Sequence, residues 1–173
     1  EGIPVTLTLE PGKRTHVAPP VTISLDGVWE MAEGGQESER LFGEWHDAIP
    51  ARVPGSVHAA LLEAGLIPDP YVGFNDTIAK EQSFKTWWFR RTFDYQREMS
   101  REMLLFGGVA VSCTVWLNGE RLGSHDGMFG GPEFDVSGKL VPGTNTLVVK
   151  IDPAPCRISQ GEPNSFFIGM NVG

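Results

Sequence analysis

The stretch VSCTVWLNGE, residues 111–120, decides the fold class of this chain. Val111, Cys113, Val115 and Leu117 alternate with more polar neighbours, and this period of two is the signature of a β-strand with one buried face. The Asn118-Gly119 pair that follows is the strongest short signal for a two-residue hairpin, since both central residues of a type I′ turn need positive φ. We therefore expect residues 120–125 to return antiparallel to this strand.

Further strands are indicated on both sides of this hairpin. The apolar side chains of 87–95 share one face, interrupted by Arg91, which would need a partner if buried. The continuous apolar run 103–106 is typical of a strand covered on both sides, whereas 134–136 and 146–151 alternate. Val5–Leu9 is one more possible strand. Successive strands without intervening helices cannot form a parallel sheet, so we predict an all-β, antiparallel sandwich, preferably a jelly roll.

One short helix is expected, over Ser56–Ala64. Ser56 can cap the free N–H groups, the apolar residues that follow have helical spacing, and Gly65 supplies a left-handed stop. The polar, Gly-rich segment 33–39 is predicted to be a surface loop instead. The helix would cover one end of a sheet.

Composition excludes several classes of function. The net charge of −8 disfavours a nucleic-acid partner, which would require clustered Lys and Arg. No apolar run approaches the roughly 20 residues that cross a bilayer, so no membrane partner is expected, and the compartment stays open with secretion somewhat favoured. Cys113 and Cys156 form neither a disulfide framework nor a zinc motif, and Cys113 is expected to be a buried, inert thiol. We expect no cofactor and no metal.

Eight segments in order resemble the N-terminal sugar-binding domain of glycoside hydrolase family 2, nearest to its β-mannosidase-like members. They are residues 25–29, 53–58 followed by 61–62, 69–75, 87–93, 115–119, 122–129, 134–136 and 145–151. The resemblance implies a galactose-binding-like domain over residues 21–155, with 1–20 as an extension or edge strand and 156–173 as a tail leading toward a further domain.

The resemblance also implies that the chemistry lies elsewhere. Retaining family members use two glutamates about 5–5.5 Å apart, both supplied by a TIM barrel that follows the domain. No Asn-Glu pair of the family's catalytic type occurs in the 173 residues, and the family's Gly-Trp-Asp-Trp-like segment is also missing. We therefore expect no catalytic residue in this chain, and a carbohydrate substrate shared with C-terminal domains of the same polypeptide.

Asn75 is the first candidate for substrate binding. In the family its loop approaches the bound sugar, and an amide can both donate to and accept from adjacent pyranose hydroxyls. The alternative is an Asn selected for turn geometry beside Gly73.

The loop after the hairpin strand supplies further candidates. His125 and Asp126 could bind hydroxyls while Phe129 stacks on a sugar ring, although Asp126-Gly127 is also ordinary turn chemistry. Among the tryptophans, Trp29 and Trp87 fit the core, whereas Trp88 and Trp116 take the opposite strand faces and are candidates for surface contact with sugar or with other domains.

Two classes of function remain open. The first is a non-catalytic scaffold and sugar-binding domain of a retaining exo-β-glycosidase, of β-mannosidase or β-galactosidase type, which degrades carbohydrate. The second is a free-standing carbohydrate-binding module with the same fold, since fold alone does not fix function. The resemblance favours the first, because it continues through the predicted helix and the loops after it.

Overall fold

Two antiparallel sheets form the body of the protein. The computed structural model describes residues 22–96, 101–109, 112–127 and 130–153. Six strands build a large sheet in the order β2-β1-β3-β8-β5-β6, and two build a small sheet, β4-β7. The strands are β1 Gly27–Glu33, β2 Ile49–Val53, β3 Trp87–Tyr95, β4 Met103–Leu105, β5 Ser112–Leu117, β6 Glu120–Asp126, β7 Glu133–Asp135 and β8 Gly143–Ile151. The expected all-β, antiparallel sandwich is confirmed.

The β5–β6 hairpin has the turn that its sequence predicts. Asn118 and Gly119 have φ of 52° and 81°, so both central residues are left-handed. Asn118 also ties the turn to the start of β8: its Nδ2 donates to Asn145 Oδ1 at 2.8 Å, and its Oδ1 accepts from Thr146 N at 2.9 Å. Asn145 is fully buried and saturates its own amide on loop carbonyls. These two asparagines therefore fix both the register of β5 against β8 and the position of the loop that leads into β8.

The described residues contain three short helices rather than one. They are α1 Glu37–Phe42, α2 Val57–Glu63 and α3 Asp76–Gln82. Helix α2 is the expected one: Ser56 Oγ accepts from Ala59 N at 3.1 Å, and Gly65 has φ of 68°. The expectation of a single helix, with a loop over 33–39, is wrong. Helices of six or seven residues are too short to show periodicity, and tertiary contacts stabilise them instead.

The main core lies against one face of the large sheet. Helix α2 covers this face on the β2 side, because its buried residues join the core cluster and contact β2. The small sheet covers it on the β6 side, where a Cβ on Gly123 would lie 2.8 Å from the ring of Phe134. The largest fully buried apolar residues of this cluster are Trp29, Met31, Val57, Val109, Val115, Leu147 and Val149.

The opposite, outer face of the large sheet is covered by a second, smaller cluster. Ala32, Trp88, Val148 and Trp116 contribute from β1, β3, β8 and β5, and Trp45 covers them from the segment that follows α1. Strand β5 is consequently buried on both faces, although its sequence alternates. Strand β4 shows the opposite behaviour. Its sequence is continuously apolar, yet Met103 and Leu105 are 38% and 37% exposed, so the expectation that both faces of this strand are covered is wrong.

Two further expectations have definite outcomes. Arg91, on the core-facing side of β3, donates from Nη1 to the carbonyl of Val28 at 2.5 Å, whereas its Nε is buried without a hydrogen-bond partner among the described residues, so the expected partner is supplied only in part. Cys113 is 1% exposed, and burial raises the pKa of its thiol to about 11, as expected for an inert structural cysteine. Val5–Leu9, Cys156 and the regions 1–20 and 156–173 lie outside the described residues.

Candidate functional site

Asn75 closes a loop that is organised around Asp69. The Asp69 carboxylate accepts from Tyr71 N at 2.9 Å, and the Asp69 carbonyl accepts from Asn75 Nδ2 at 3.0 Å and from Val72 N at 3.2 Å. Gly73 has φ of 61°, whereas Asn75 itself is right-handed at −67° and stands at the start of α3. A need for left-handed backbone therefore does not explain the asparagine at position 75. The hydrogen bond of its amide to the Asp69 carbonyl does.

The same loop exposes two aromatic side chains that sequence reasoning missed. Tyr71 is 96% and Phe74 is 92% exposed. They belong to a set of large apolar side chains on α2, the loop and α3, which we name the α2–α3 apolar surface: Leu62, Leu66, Tyr71, Val72, Phe74 and Ile78. The sequence contains a signal for this exposure. The apolar residues of 66–78 follow neither the period of two of a strand nor the period of a helix, so no buried face is predicted for them.

His125 and Asp126 lie within β6 rather than in the loop after it, and as consecutive strand residues they point to opposite faces. His125 is opposite Cys113 and faces the core side, where its Nε2 is buried without a hydrogen-bond partner among the described residues. Asp126 faces outward and accepts from Ser112 Oγ at 2.5 Å. The expected His-Asp pair in a loop is therefore corrected: the two side chains do not act at one point.

Trp88 does not lie at the surface. Its side chain is 2% exposed, and its ring centroid lies 5.5 Å from that of Trp116, which is also 2% exposed. Trp45 joins this cluster, and Arg90 stacks over the Trp45 ring at 4.4 Å. The prediction that Trp88 and Trp116 are available for surface contact is wrong, because a connection of about 15 residues between β1 and β2 covers the outer face.

The candidates do not converge on one pocket in the described structure. Trp87, Ile151, Cys113 and His125 are register neighbours at one end of the large sheet, and α3 reaches this end because Gln82 O accepts from Trp87 Nε1 at 2.9 Å. His125 nevertheless lies three strand spacings, about 14 Å, from Trp87. Phe129 lies outside the described residues. Asn75 and its loop are therefore the best-defined candidate site.

Other kinds of site receive no support from this part of the chain. No group of three or more His, Cys, Asp or Glu side chains within the described ranges could hold a metal ion. Among the helices described, none has the length and apolar character that crossing a membrane requires.

Comparison with known proteins identifies the family of this fold. Residues 29–166 match the model of the glycosyl hydrolase 2 galactose-binding domain-like family. The chain belongs to this family. It is 33% identical over 134 residues to a β-mannosidase of Mus musculus, covering 76% of this chain and 14% of that protein. It is 30% identical over 154 residues to β-mannosidase B of Thermothelomyces thermophilus, covering 86% of this chain and 17% of the relative.

The likeness to this family also holds for a three-dimensional structure. The crystal structure of a β-D-mannosidase from Dictyoglomus thermophilum superposes with a TM-score of 0.67 and 34% identity, covering 75% of this chain and 15% of that one. The resemblance to the glycoside hydrolase family 2 domain is thus confirmed. This family member spans only about a seventh of the length of the β-mannosidases that it matches.

Proposed function

We propose that this chain is the non-catalytic, N-terminal scaffold and sugar-binding domain of a retaining exo-β-glycosidase of the β-mannosidase or β-galactosidase type. The acid/base and nucleophile carboxylates come from a domain that follows it. The chain contributes one wall of the pocket that holds the terminal β-linked sugar. The observation that carries this proposal is the 33% identity to a β-mannosidase of which the chain covers only 14%.

Asn75 is the residue that we propose for hydroxyl contact. One N–H of its amide holds the loop through the Asp69 carbonyl, while the second N–H and Oδ1 have no hydrogen bond among the described residues. A half-buried amide in this state can donate to one sugar hydroxyl and accept from its neighbour. The loop hydrogen bond fixes the direction of the amide before the sugar arrives, which reduces the entropy lost on binding.

The first test is hydrolysis by the longest natural polypeptide that contains these residues. We expect cleavage of an aryl β-mannoside, β-galactoside or β-glucuronide, and no cleavage by residues 1–173 alone. Failure of the long polypeptide on all three substrates, or turnover by the 173-residue chain, would contradict the proposal.

Asn75→Ala in that long polypeptide tests the contact. Loss of one or two hydrogen bonds to a sugar hydroxyl is expected to lower kcat/KM about 10- to 100-fold. Asp76→Asn, one residue along the chain and paired with Lys80, is the control and should leave kcat/KM within about twofold. Equal effects of the two substitutions would remove Asn75 from the sugar site.

A free-standing carbohydrate-binding module is the second candidate, and the exposed rings of Tyr71 and Phe74 favour it because aromatic faces stack on pyranose rings. Calorimetry separates the two. Such a module binds a β-linked oligosaccharide by itself, and Phe74→Ala abolishes the heat of binding. A scaffold domain gives no binding heat with the 173 residues alone.

A further inference from the structure

His58 links helix α2 to helix α3. Its Nε2 lies 2.7 Å from the carbonyl oxygen of Ala79, a residue 21 positions further along the chain. A carbonyl oxygen can only accept, so Nε2 carries a proton and donates it, whether the ring is neutral or protonated. This hydrogen bond joins a side chain of one helix to the main chain of another.

The Ala79 carbonyl needs such a donor. Ala79 is buried, and its carbonyl is one of the last four of α3, which have no N–H partner within a helix. The chain tightens after it, because Ser83 N donates to the Lys80 carbonyl at 3.1 Å. The Ala79 carbonyl is thereby left open to the imidazole of His58. A buried carbonyl without a partner is costly, so loss of the imidazole donor would loosen α3.

Helix α3 depends on hydrogen bonds from outside itself. It has seven residues, and no side chain caps its start, since the Asn75 amide donates to the Asp69 carbonyl instead. A helix of this length is not stable alone. At its far end the Gln82 carbonyl accepts from Trp87 Nε1 at 2.9 Å. His58 and Trp87 therefore hold α3 against α2 and against the large sheet.

Helix α2 gives His58 a fixed support. Ser56 Oγ caps its first turn, and its three buried residues belong to the main core cluster. The His58 side chain is itself only partly buried. A substitution at position 58 therefore tests the hydrogen bond with little effect on the core.

We propose that His58 is a positioning residue for the sugar contact of Asn75. The inference rests on the proposed function of Asn75 and names a second residue on which that function depends. The connection is short: His58 holds the Ala79 carbonyl, and Ala79 N donates to the Asn75 carbonyl at 3.1 Å, one helical turn away. The Asp69 carbonyl directs the amide of Asn75, whereas His58 fixes the main chain that carries this amide.

Two substitutions of similar helix propensity isolate the hydrogen bond in the longest natural polypeptide. His58→Leu removes the donor, whereas the side-chain amide of His58→Gln places an N–H near the former Nε2. We expect His58→Leu to lower kcat/KM for the aryl β-glycoside about tenfold by misplacing Asn75, and His58→Gln to stay within about threefold of wild type. The loss should not exceed that of Asn75→Ala, since His58 acts only through Asn75.

A double-mutant cycle distinguishes positioning from a general loss of stability. In an Asn75→Ala background, His58→Leu should lower kcat/KM by less than about twofold, because the group that His58 positions is already absent. Equal losses in the two backgrounds, or a His58→Gln variant as impaired as His58→Leu, overturn the inference and leave the proposed function standing. Absence of hydrolysis by the wild type contradicts the proposed function, and this inference with it.

Amide hydrogen exchange examines the same hydrogen bond without catalysis. Peptides covering 75–82 should exchange at least about fivefold faster after His58→Leu and at the wild-type rate after His58→Gln, because α3 opens more readily without the donor. Thr77→Val is the matched control: it removes the exposed hydrogen bond from Thr77 Oγ1 to Asp76 Oδ1 at 3.5 Å, which lies within α3. This control should change neither exchange nor kcat/KM. Unchanged exchange after His58→Leu, or the same increase after Thr77→Val, overturns the inference.

Discussion

The outer face of the large sheet and the α2–α3 apolar surface use aromatic residues in opposite ways. On the outer face Trp45, Trp88 and Trp116 are at most 7% exposed beneath the connection that contains α1. On the α2–α3 apolar surface Tyr71 and Phe74 are more than 90% exposed. The difference teaches that a strand tryptophan in this domain is part of the fold, whereas an aromatic residue in the Asp69-centred loop is available for a partner.

The two regions differ because a segment of the chain covers the outer face of the large sheet. Between β1 and β2 the chain makes α1 and returns across the sheet, and Arg40 holds the two ends of this connection together. Its guanidinium donates to the carbonyls of Glu33 and Gly34 and makes a bidentate pair with Asp47 at 2.7–2.8 Å. No described segment crosses the α2–α3 apolar surface in a comparable way.

Trp88→Ala should give the largest loss of stability. A small loss would contradict the contrast between the outer face and the α2–α3 apolar surface. Removing a fully buried indole leaves a cavity beside Trp116, and we expect a loss of about 3–5 kcal/mol in the free energy of unfolding of the 173-residue chain. Urea denaturation followed by circular dichroism measures it. Phe74→Ala is the matched control and should stay within about 0.5 kcal/mol.

The contrary outcome for this pair is informative. A Trp88→Ala loss as small as that of Phe74→Ala would mean that the connection does not cover the outer face in solution. Trp88 would then return as a candidate for contact with sugar, as the sequence alone suggested.

The sequence predicted the fold better than the site, and particular residues explain why. Alternation in 111–117, the Asn118-Gly119 turn and the Ser56 cap are local signals, and each determines local structure regardless of what packs on it. The fate of Trp88 depends instead on Trp45, 43 residues earlier, which no periodicity relates to it. Likewise, the separation of His125 from Asp126 depends on β6 extending one residue further than expected.

Arg40→Ala sharpens the comparison by releasing the connection while leaving the tryptophans in place. Four hydrogen bonds are lost, two of them to the main-chain carbonyls of Glu33 and Gly34. We expect about 2–3 kcal/mol of destabilisation in urea and increased acrylamide quenching of tryptophan fluorescence. Arg40→Lys keeps the charge but cannot reproduce the forked geometry, so it should recover less than half of the loss. Full recovery by lysine would indicate that charge alone holds the connection.

Asp47→Asn should give the smallest effect and a pH dependence of definite sign. The hydrogen bond from Arg40 is the main reason that the pKa of Asp47 lies below its ordinary value. The folded state therefore holds this proton less tightly than the unfolded state, so the contribution is present at neutral pH and is lost as pH falls through the folded pKa. Because the Asp47 side chain is 58% exposed, the contribution is below about 1 kcal/mol.

The stability difference between wild type and Asp47→Asn should thus be measurable at pH 7 and shrink toward pH 3. In an Arg40→Ala background it should vanish at both pH values, and a difference that persists there would assign the stabilisation to a partner other than Arg40.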